Sequence, residues 1–474
     1  MNATPTTAPP ETTRPRLAKD KLGVLTVAFF AFAAAAPIGA LVGATPLIFI
    51  GVGPGAPVAV LIAAALIAIF AVGYLLMSQK IRNAGGFIVL VSRGLGNMLA
   101  GASAGVIVSM YIGLSVGLWA LFGLFAEFLF AGLGIQLPAL VWAVIGTVIA
   151  AILVMSGVGV SIRVLGVLLI LEVVVILIFV TALIFNTPAS EFATPAIALE
   201  GAMTPGIGVA LLFTFAMFTM FEAPTVFSEE AKQPERTIPR ALYLVVVVIA
   251  ALYMLSTWAI SAHVGNEKIA ALAAENPDTF IYVLAATVLG ESFAKVLEIL
   301  VVVSFFAMMI AVQNVFSRYL FSLGRAGVAT RAISIVNTKQ APSVASISVA
   351  VVIIVLLAAF LLSGVDPFTL YTWMVGLGTT GFIVVLTLAS IAVLVFFRRP
   401  THQPNNIWGT LVAPVVALLG TLGVLILVLT NYEYVGGTGP VAWILLGLIP
   451  VLAIVGMILA RNSRRVDFSD VIEG

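Results

Sequence analysis

Residues 22–50 read LGVLTVAFFAFAAAAPIGALVGATPLIFI, an apolar run long enough to cross a bilayer and interrupted halfway. A spanning helix needs about 20 apolar residues at 1.5 Å rise each. Pro37, Gly39 and Gly43 fall where the ladder of backbone hydrogen bonds would otherwise run unbroken. Pro37 has no N–H to donate, and its ring crowds the carbonyl one turn back. Opening a helix at mid-depth strands N–H and C=O groups, each costly in hydrocarbon unless protein, ligand or ions satisfy it. Two readings stand on this stretch: a proline kink in an ordinary spanning helix, or a true break that marks a polar site near the membrane centre.

The rest of the chain has the composition of an all-α polytopic membrane protein. Of 474 residues, 62% are hydrophobic and 9% charged, against roughly 25% charged in a soluble domain. Cysteine is absent, which removes disulfides, thiol chemistry and thiolate metal sites. The Thr- and Pro-rich residues 1–19 are expected to be a disordered tail, and the long apolar segment after them does not have the form of a signal peptide. Twelve apolar runs follow: 22–50, 56–79, 96–130, 138–157, 162–186, 205–228, 239–262, 293–324, 343–363, 367–397, 408–431 and 440–460. With the first tail inside, 20 of the 22 lysines and arginines lie on the inner side and only Lys268 and Lys295 outside. The positive-inside rule then places both termini in the cytoplasm of a cell whose inner membrane the chain crosses. The outer connection between spans seven and eight, with AALAAENPDTFIYVLAATVLG, is expected to form a short helix on the outer face.

Span six repeats the anomaly of span one. Residues 205–227, PGIGVALLFTFAMFTMFEAPTVF, carry Glu222 and Pro224 inside an apolar run. Interrupted helices at corresponding positions of two halves point to an inverted-repeat transporter with its site between the breaks. Residues 20–186 and 187–397 would be the two five-helix repeats, 398–460 two accessory helices and 461–474 a cytoplasmic tail.

The stretch Phe221 to Ala241, FEAPTVFSEEAKQPERTIPRA, resembles the Gly-Phe-Glu-(Ala/Ser) and "GEE…NP.R.IPRA" signature that follows span six in the amino acid/polyamine/organocation permeases. GGFIVLVSRGLG, Gly85 to Gly96, and NVFSRYLFSLGRAG, Asn314 to Gly327, are similar to further stretches of that family. Two departures stand out: APIGALVG, Ala36 to Gly43, replaces the family's Gly-Ser-Gly in span one, and Met220 stands where a glycine is usual. The resemblance implies a LeuT-like fold of twelve transmembrane helices, a 5+5 inverted repeat plus two, with helices one and six broken. It also implies that a substrate carboxylate meets backbone N–H groups of span one while its amine meets carbonyls of spans one and six. Helix termini carry the partial charges that such a zwitterion needs. The expected contacts are Ile38, Gly39, Val42 and Gly43 at the first break and Ala216, Thr219 and Glu222 at the second, with Tyr111 and Trp373 as aromatic additions.

Buried acids carry the coupling expectation. A charge at the bilayer centre costs about 2.5–3.5 kcal/mol on insertion scales and marks a functional candidate. Glu172 lies centrally in span five, with no charge within eight residues on either side. By the resemblance it stands where many family members have a lysine that substitutes for a bound sodium. Glu222 is the second candidate for taking up and releasing a proton. Glu127 and Glu298 lie nearer the outer helix ends and read as solvated. Sodium needs several oxygen ligands, yet residues 301–314 of span eight, VVVSFFAMMIAVQN, offer one hydroxyl, Ser304, followed by eight apolar residues.

Competing classes fail on residue supply. GLGTTG, Gly376 to Gly381, fits a dinucleotide fingerprint but lies inside a span rather than between a strand and a helix. GLSVG, Gly113 to Gly117, has the form of a nucleophile elbow, yet both histidines, His263 and His402, fall outside the spans, so Ser115 has no base. No channel filter or repeated ring is visible. The sequence therefore predicts a non-enzymatic secondary transporter of an amino acid, proton-coupled or exchange-type and sodium-independent. The alternative is a polyamine or other organic-cation carrier. Its expected partners are that small molecule, protons and lipid, with no cofactor, metal or nucleic acid.

Overall fold

The computed structural model describes residues 23–81, 86–156, 162–192, 199–227, 231–339, 341–399, 406–436 and 439–462. The tail at 1–19, most of the tail at 461–474, Gly85, the 228–230 part of the span-six signature and His402 lie outside the described residues.

Every described element of regular structure is helical. In chain order these are α1 (Val24–Ala34), α2 (Pro37–Val52), α3 (Ala56–Ile81), α4 (Phe87–Leu95), α5 (Asn97–Ala131) and α6 (Ala139–Met155). Next come α7 (Ile162–Phe185), the short α8 (Leu199–Ala202), α9 (Ile207–Met217), α10 (Pro234–Val264), α11 (Ile269–Glu275) and α12 (Phe280–Leu289). The chain ends with α13 (Glu291–Arg325), α14 (Ser343–Leu362), α15 (Pro367–Arg398), α16 (Ala413–Thr430), the short α17 (Glu433–Gly436) and α18 (Pro440–Asn462). Among the described residues, nine helical stretches are long and apolar enough to cross a membrane. The expectation of twelve spans goes beyond what length alone qualifies, because α6 has only 17 residues and α9 only 11, and because Pro37–Ile81, which holds parts of the first two expected spans, counts as one stretch. Large apolar side chains such as Val167, Ile170 and Val174 on α7, Val351 and Val355 on α14 and Ile454 on α18 are exposed. Such a surface suits hydrocarbon rather than water.

The first break lies earlier than the glycines suggested. The α1 ladder ends at Ala34, Ala36 adopts a left-handed conformation at φ 45°, and Pro37 opens α2. A residue before proline is pushed out of the helical region, and proline fits the first position of a new helix, where no N–H is needed. Gly39 and Gly43 therefore lie within α2 and not in the opened segment. The second break spans residues 218–222, between α9 and a short 3₁₀ turn at Ala223–Phe227. Met220 there is left-handed at φ 69°.

The outer connection forms two helices, α11 and α12, both packed against α2. The acids read as solvated have defined partners. Glu127 Oε2 accepts the Ala139 N–H at the start of α6 at 2.7 Å, and Glu298 pairs with Lys295 at 2.6 Å.

Glycines decide how closely the central helices approach. A Cβ on Gly113 of α5 would stand 2.5 Å from the Met374 carbonyl oxygen of α15, and one on Gly378 would stand 2.7 Å from the Leu114 nitrogen. On another face of α5, Cβ atoms at Gly101 and Gly105 would collide with the Gly456 and Leu452 carbonyls of α18. Small residues at such crossings let backbones approach and gain dispersion energy where lipid supplies no hydrophobic drive. Gly105→Val is therefore expected to separate α5 from α18. Its detergent extract should run as aggregate in fluorescence-detected size-exclusion chromatography, where the wild type gives one symmetric peak.

Candidate functional site

The two breaks gather two separate groups of polar side chains. At the first, α2 begins with Pro37, which has no N–H, while the Ala40 N–H is used by the Ala36 carbonyl at 3.1 Å. The Ile38 N–H donates to Glu172 Oε2 across 134 positions of sequence at 3.2 Å. No acceptor among the described residues takes the Gly39 N–H. Glu172 is 3% exposed, so the helix-start donor and its acid meet away from water. A carboxylate there is favoured by both the free donor and the positive end of the helix dipole. The Ser304 hydroxyl from α13 lies beside the same carboxyl without reaching hydrogen-bond geometry, and it has no other partner. Tyr253 from α10, its phenol buried and without a hydrogen-bond partner, lies within electrostatic range of Glu172.

The α2 face beyond this point is closely covered. The Phe305 ring stands 3.0 Å from where a Cβ of Gly39 would be, and Leu121 Cδ2 and the Tyr371 hydroxyl stand 2.8 and 3.2 Å from that of Gly43. Phe213 of α9 lies 6.3 Å from Tyr371, ring centre to ring centre. The lining is thus aromatic and aliphatic, with one phenol. Val42, buried in the same helix, loses the helical donor for its carbonyl because Pro46 has no N–H.

At the second break, Glu222 Oε2 is enclosed and has no hydrogen-bond partner. Three tyrosines from three helices lie within electrostatic range of this acid: Tyr74 of α3, Tyr111 of α5 and Tyr319 of α13. Tyr74 shares a hydrogen bond of 3.2 Å with Thr225, and Tyr111 stacks on Phe316 with ring centres 5.4 Å apart. Thr219 turns its hydroxyl back to the Ala216 carbonyl at 2.8 Å, and its N–H reaches the same oxygen at 3.1 Å. That carbonyl, at the end of α9, already holds two donors.

Of the expected contacts at the first break, Ile38 meets Glu172, while Gly39, Val42 and Gly43 follow it along α2; at the second, Thr219 bonds to Ala216, and Glu222 and Tyr111 lie within electrostatic range of each other. Trp373 belongs to neither group: it packs edge-on against Phe360 of α14. Sequence reasoning missed Tyr371, Tyr253, Tyr74 and Tyr319. A signal was available, since each is a polar aromatic within a span, where an unpaired hydroxyl is costly. The residues present form no cluster of three or more metal-ligating His, Asp or Glu among the described residues.

The family model described as "Amino acid permease" matches residues 22–458 of this chain. The branched-chain amino acid permease BcaP of Bacillus subtilis (strain 168) is 24% identical over 440 residues, covering 87% of this chain and 89% of that protein.

The break geometry carries its own test. A left-handed conformation costs a residue with a Cβ about 1–2 kcal/mol, and glycine adds about 0.4–1 kcal/mol of unfolded-chain freedom. Ala36→Gly should therefore leave the thermal midpoint of purified protein unchanged or higher. Ala36→Val, β-branched at positive φ, should lower it by several degrees.

Proposed function

We propose that this chain, which belongs to the amino acid permease family, is a secondary active transporter carrying an apolar amino acid of branched-chain type across the cytoplasmic membrane. The observation that carries the reading is the start of α2 at the first break. There, backbone donors without helical partners open beside a buried acid, opposite an aromatic and aliphatic wall. An α-carboxylate fits those donors and the helix dipole. The wall of Phe305, Leu121 and Phe213 suits a hydrocarbon side chain. The printed name of the Bacillus relative supports the same substrate class.

The architecture that goes with this reading is twelve spans in a LeuT-like 5+5 arrangement, with both termini cytoplasmic. It is supported by two eleven-residue helices, α1 and α9, that each run into a break at a left-handed non-glycine residue. Alternating access would rock one group of helices about these breaks. Coupling is to protons, with Glu172 the first acid and Glu222 the second. Ser304 supplies span eight's single hydroxyl at this depth, short of the several oxygens that sodium requires. A polyamine carrier is the second reading, favoured by the enclosed Glu222 carboxyl among its tyrosines.

Reconstituted protein should take up L-leucine without sodium, and external acid should stimulate the uptake. Glu172→Gln should flatten that pH dependence. Uptake driven by a sodium gradient at equal pH overturns the coupling, and putrescine competing better than leucine moves the assignment to organic cations. A requirement for internal substrate with indifference to both gradients identifies exchange. Gly43→Leu, whose side chain must enter the space beside Leu121 and Tyr371, should lose uptake at least tenfold while still giving a folded, membrane-inserted protein.

A further inference from the structure

We propose that the Glu172 carboxylate is an internal rival of the substrate's carboxylate: it holds the donor at the start of α2, and a proton on Glu172 clears that donor for the incoming amino acid. This rests on the permease reading above and deepens it, because it states how proton and substrate are linked at one site.

The start of α2 has few donors to share. Pro37 has none, Ala40 is bonded to Ala36, and only the Ile38 and Gly39 N–H groups remain. Glu172 Oε2 occupies the first of them at 3.2 Å. An ionised acid holds such a donor by a charge-assisted bond, and the helix dipole strengthens it. A second carboxylate arriving at the adjacent Gly39 N–H meets a like charge at close range beside the buried Glu172, where repulsion is poorly screened. Glu172 and the substrate therefore cannot both be bound there as anions.

Neutralising Glu172 changes both sides of this contest. The neutral acid holds Ile38 less strongly, and its new O–H needs an acceptor. Two oxygens stand ready: Ser304 Oγ, 3% exposed, and the Tyr253 phenol, 0% exposed, both without a hydrogen-bond partner. Ser304 lies beside Glu172 on α13 and Tyr253 within its electrostatic range on α10, which gives the protonated carboxyl a second place to rest. Of the elements packed against α7, which are α1, α2, α10, α12 and α13, α10 presents Tyr253 as the one titratable neighbour. Among the described residues, no lysine, arginine or further acid faces Glu172. The charge that competes with the substrate is thus Glu172's own, with no basic group to compensate it.

The test is equilibrium binding of radiolabelled L-leucine to the purified full-length chain across pH. In wild type, Kd should weaken toward alkaline pH with a limiting slope of about tenfold per pH unit, the signature of one proton taken up with each leucine. In Glu172→Gln, which is neutral at every pH, Kd should be flat and at least about tenfold tighter than wild type at the alkaline end. A permanent structural cap predicts the reverse, with Glu172→Gln binding no better than wild type at any pH, and that result overturns the proposal. A flat wild-type profile overturns it too. If Glu172→Gln does not fold, Glu172→Asp serves. Its shorter arm retracts from Ile38, so leucine should bind more tightly than in wild type at alkaline pH with the slope kept, and weaker binding refutes the rivalry. Tyr253→Phe should keep the slope, and losing it would assign the proton to the phenol instead. Leucine that binds wild type at no pH brings down the permease reading itself, whereas leucine binding with identical profiles in wild type and Glu172→Gln brings down only this inference.

Discussion

A backbone N–H or C=O inside a membrane must find its partner within the protein, because the surrounding hydrocarbon offers none. Continuous helices meet that demand automatically, so every departure from them has to be answered by a neighbour. The start of α2 is such a departure, and its answer comes from α7, where Glu172 reaches the Ile38 N–H. The acid needs the donor as much as the donor needs the acid, since a buried carboxylate without hydrogen bonds is equally costly. The position of α7 against α1 and α2 is therefore a condition of the broken helix as well as a matter of packing.

The two breaks meet the same constraint in different ways. At the first, the chain reverses helical geometry over two residues and proline restarts the helix cleanly. At the second, residues 218–227 stay outside α-helix, and several of their N–H groups turn to carbonyls three positions back, as in Phe221 to Phe218 and Thr225 to Glu222. The first break thus leaves donors for something other than backbone, and the second consumes most of its own. Both force a residue with a Cβ into left-handed space, Ala36 and Met220, where glycine would sit without strain. Such strain persists only where the surrounding packing overdetermines it; Ala36 is buried and Met220 half-buried.

Much of this was legible from residues 22–50 and 205–227. Pro37 and Pro224 announced the interruptions, and Glu172 and Glu222 announced the acids, because proline and carboxylate inside apolar runs have few innocent explanations. The first break lies at Ala36, at the near end of the stretch Ala36 to Gly43, because proline acts on the residue before it, and Gly39 and Gly43 serve the close approach of Phe305, Leu121 and Tyr371 instead. The pairing of Glu172 with Ile38 was out of reach, since nothing in a sequence reports that positions 134 apart share a hydrogen bond. The tyrosines around Glu222 come from three helices and show no spacing that a single-chain pattern would reveal.

The glycine contacts of α5 have a mechanical meaning. Helices that meet through long side chains slide past each other by changing rotamers, because each chain bends a little as the ridge moves. At Gly113, Gly378, Gly101 and Gly105 the facing atoms are backbone carbonyls and amides, which have no rotamers to change. Displacing α15 or α18 along α5 by even part of a residue would drive a neighbouring Cβ into main chain. The three helices are keyed together like cut teeth, without shear, and so are the far ends of the two broken helices, where a Cβ on Gly51 would stand 2.7 Å from the Gly206 carbonyl and one on Gly208 would collide with the Leu427 carbonyl of α16.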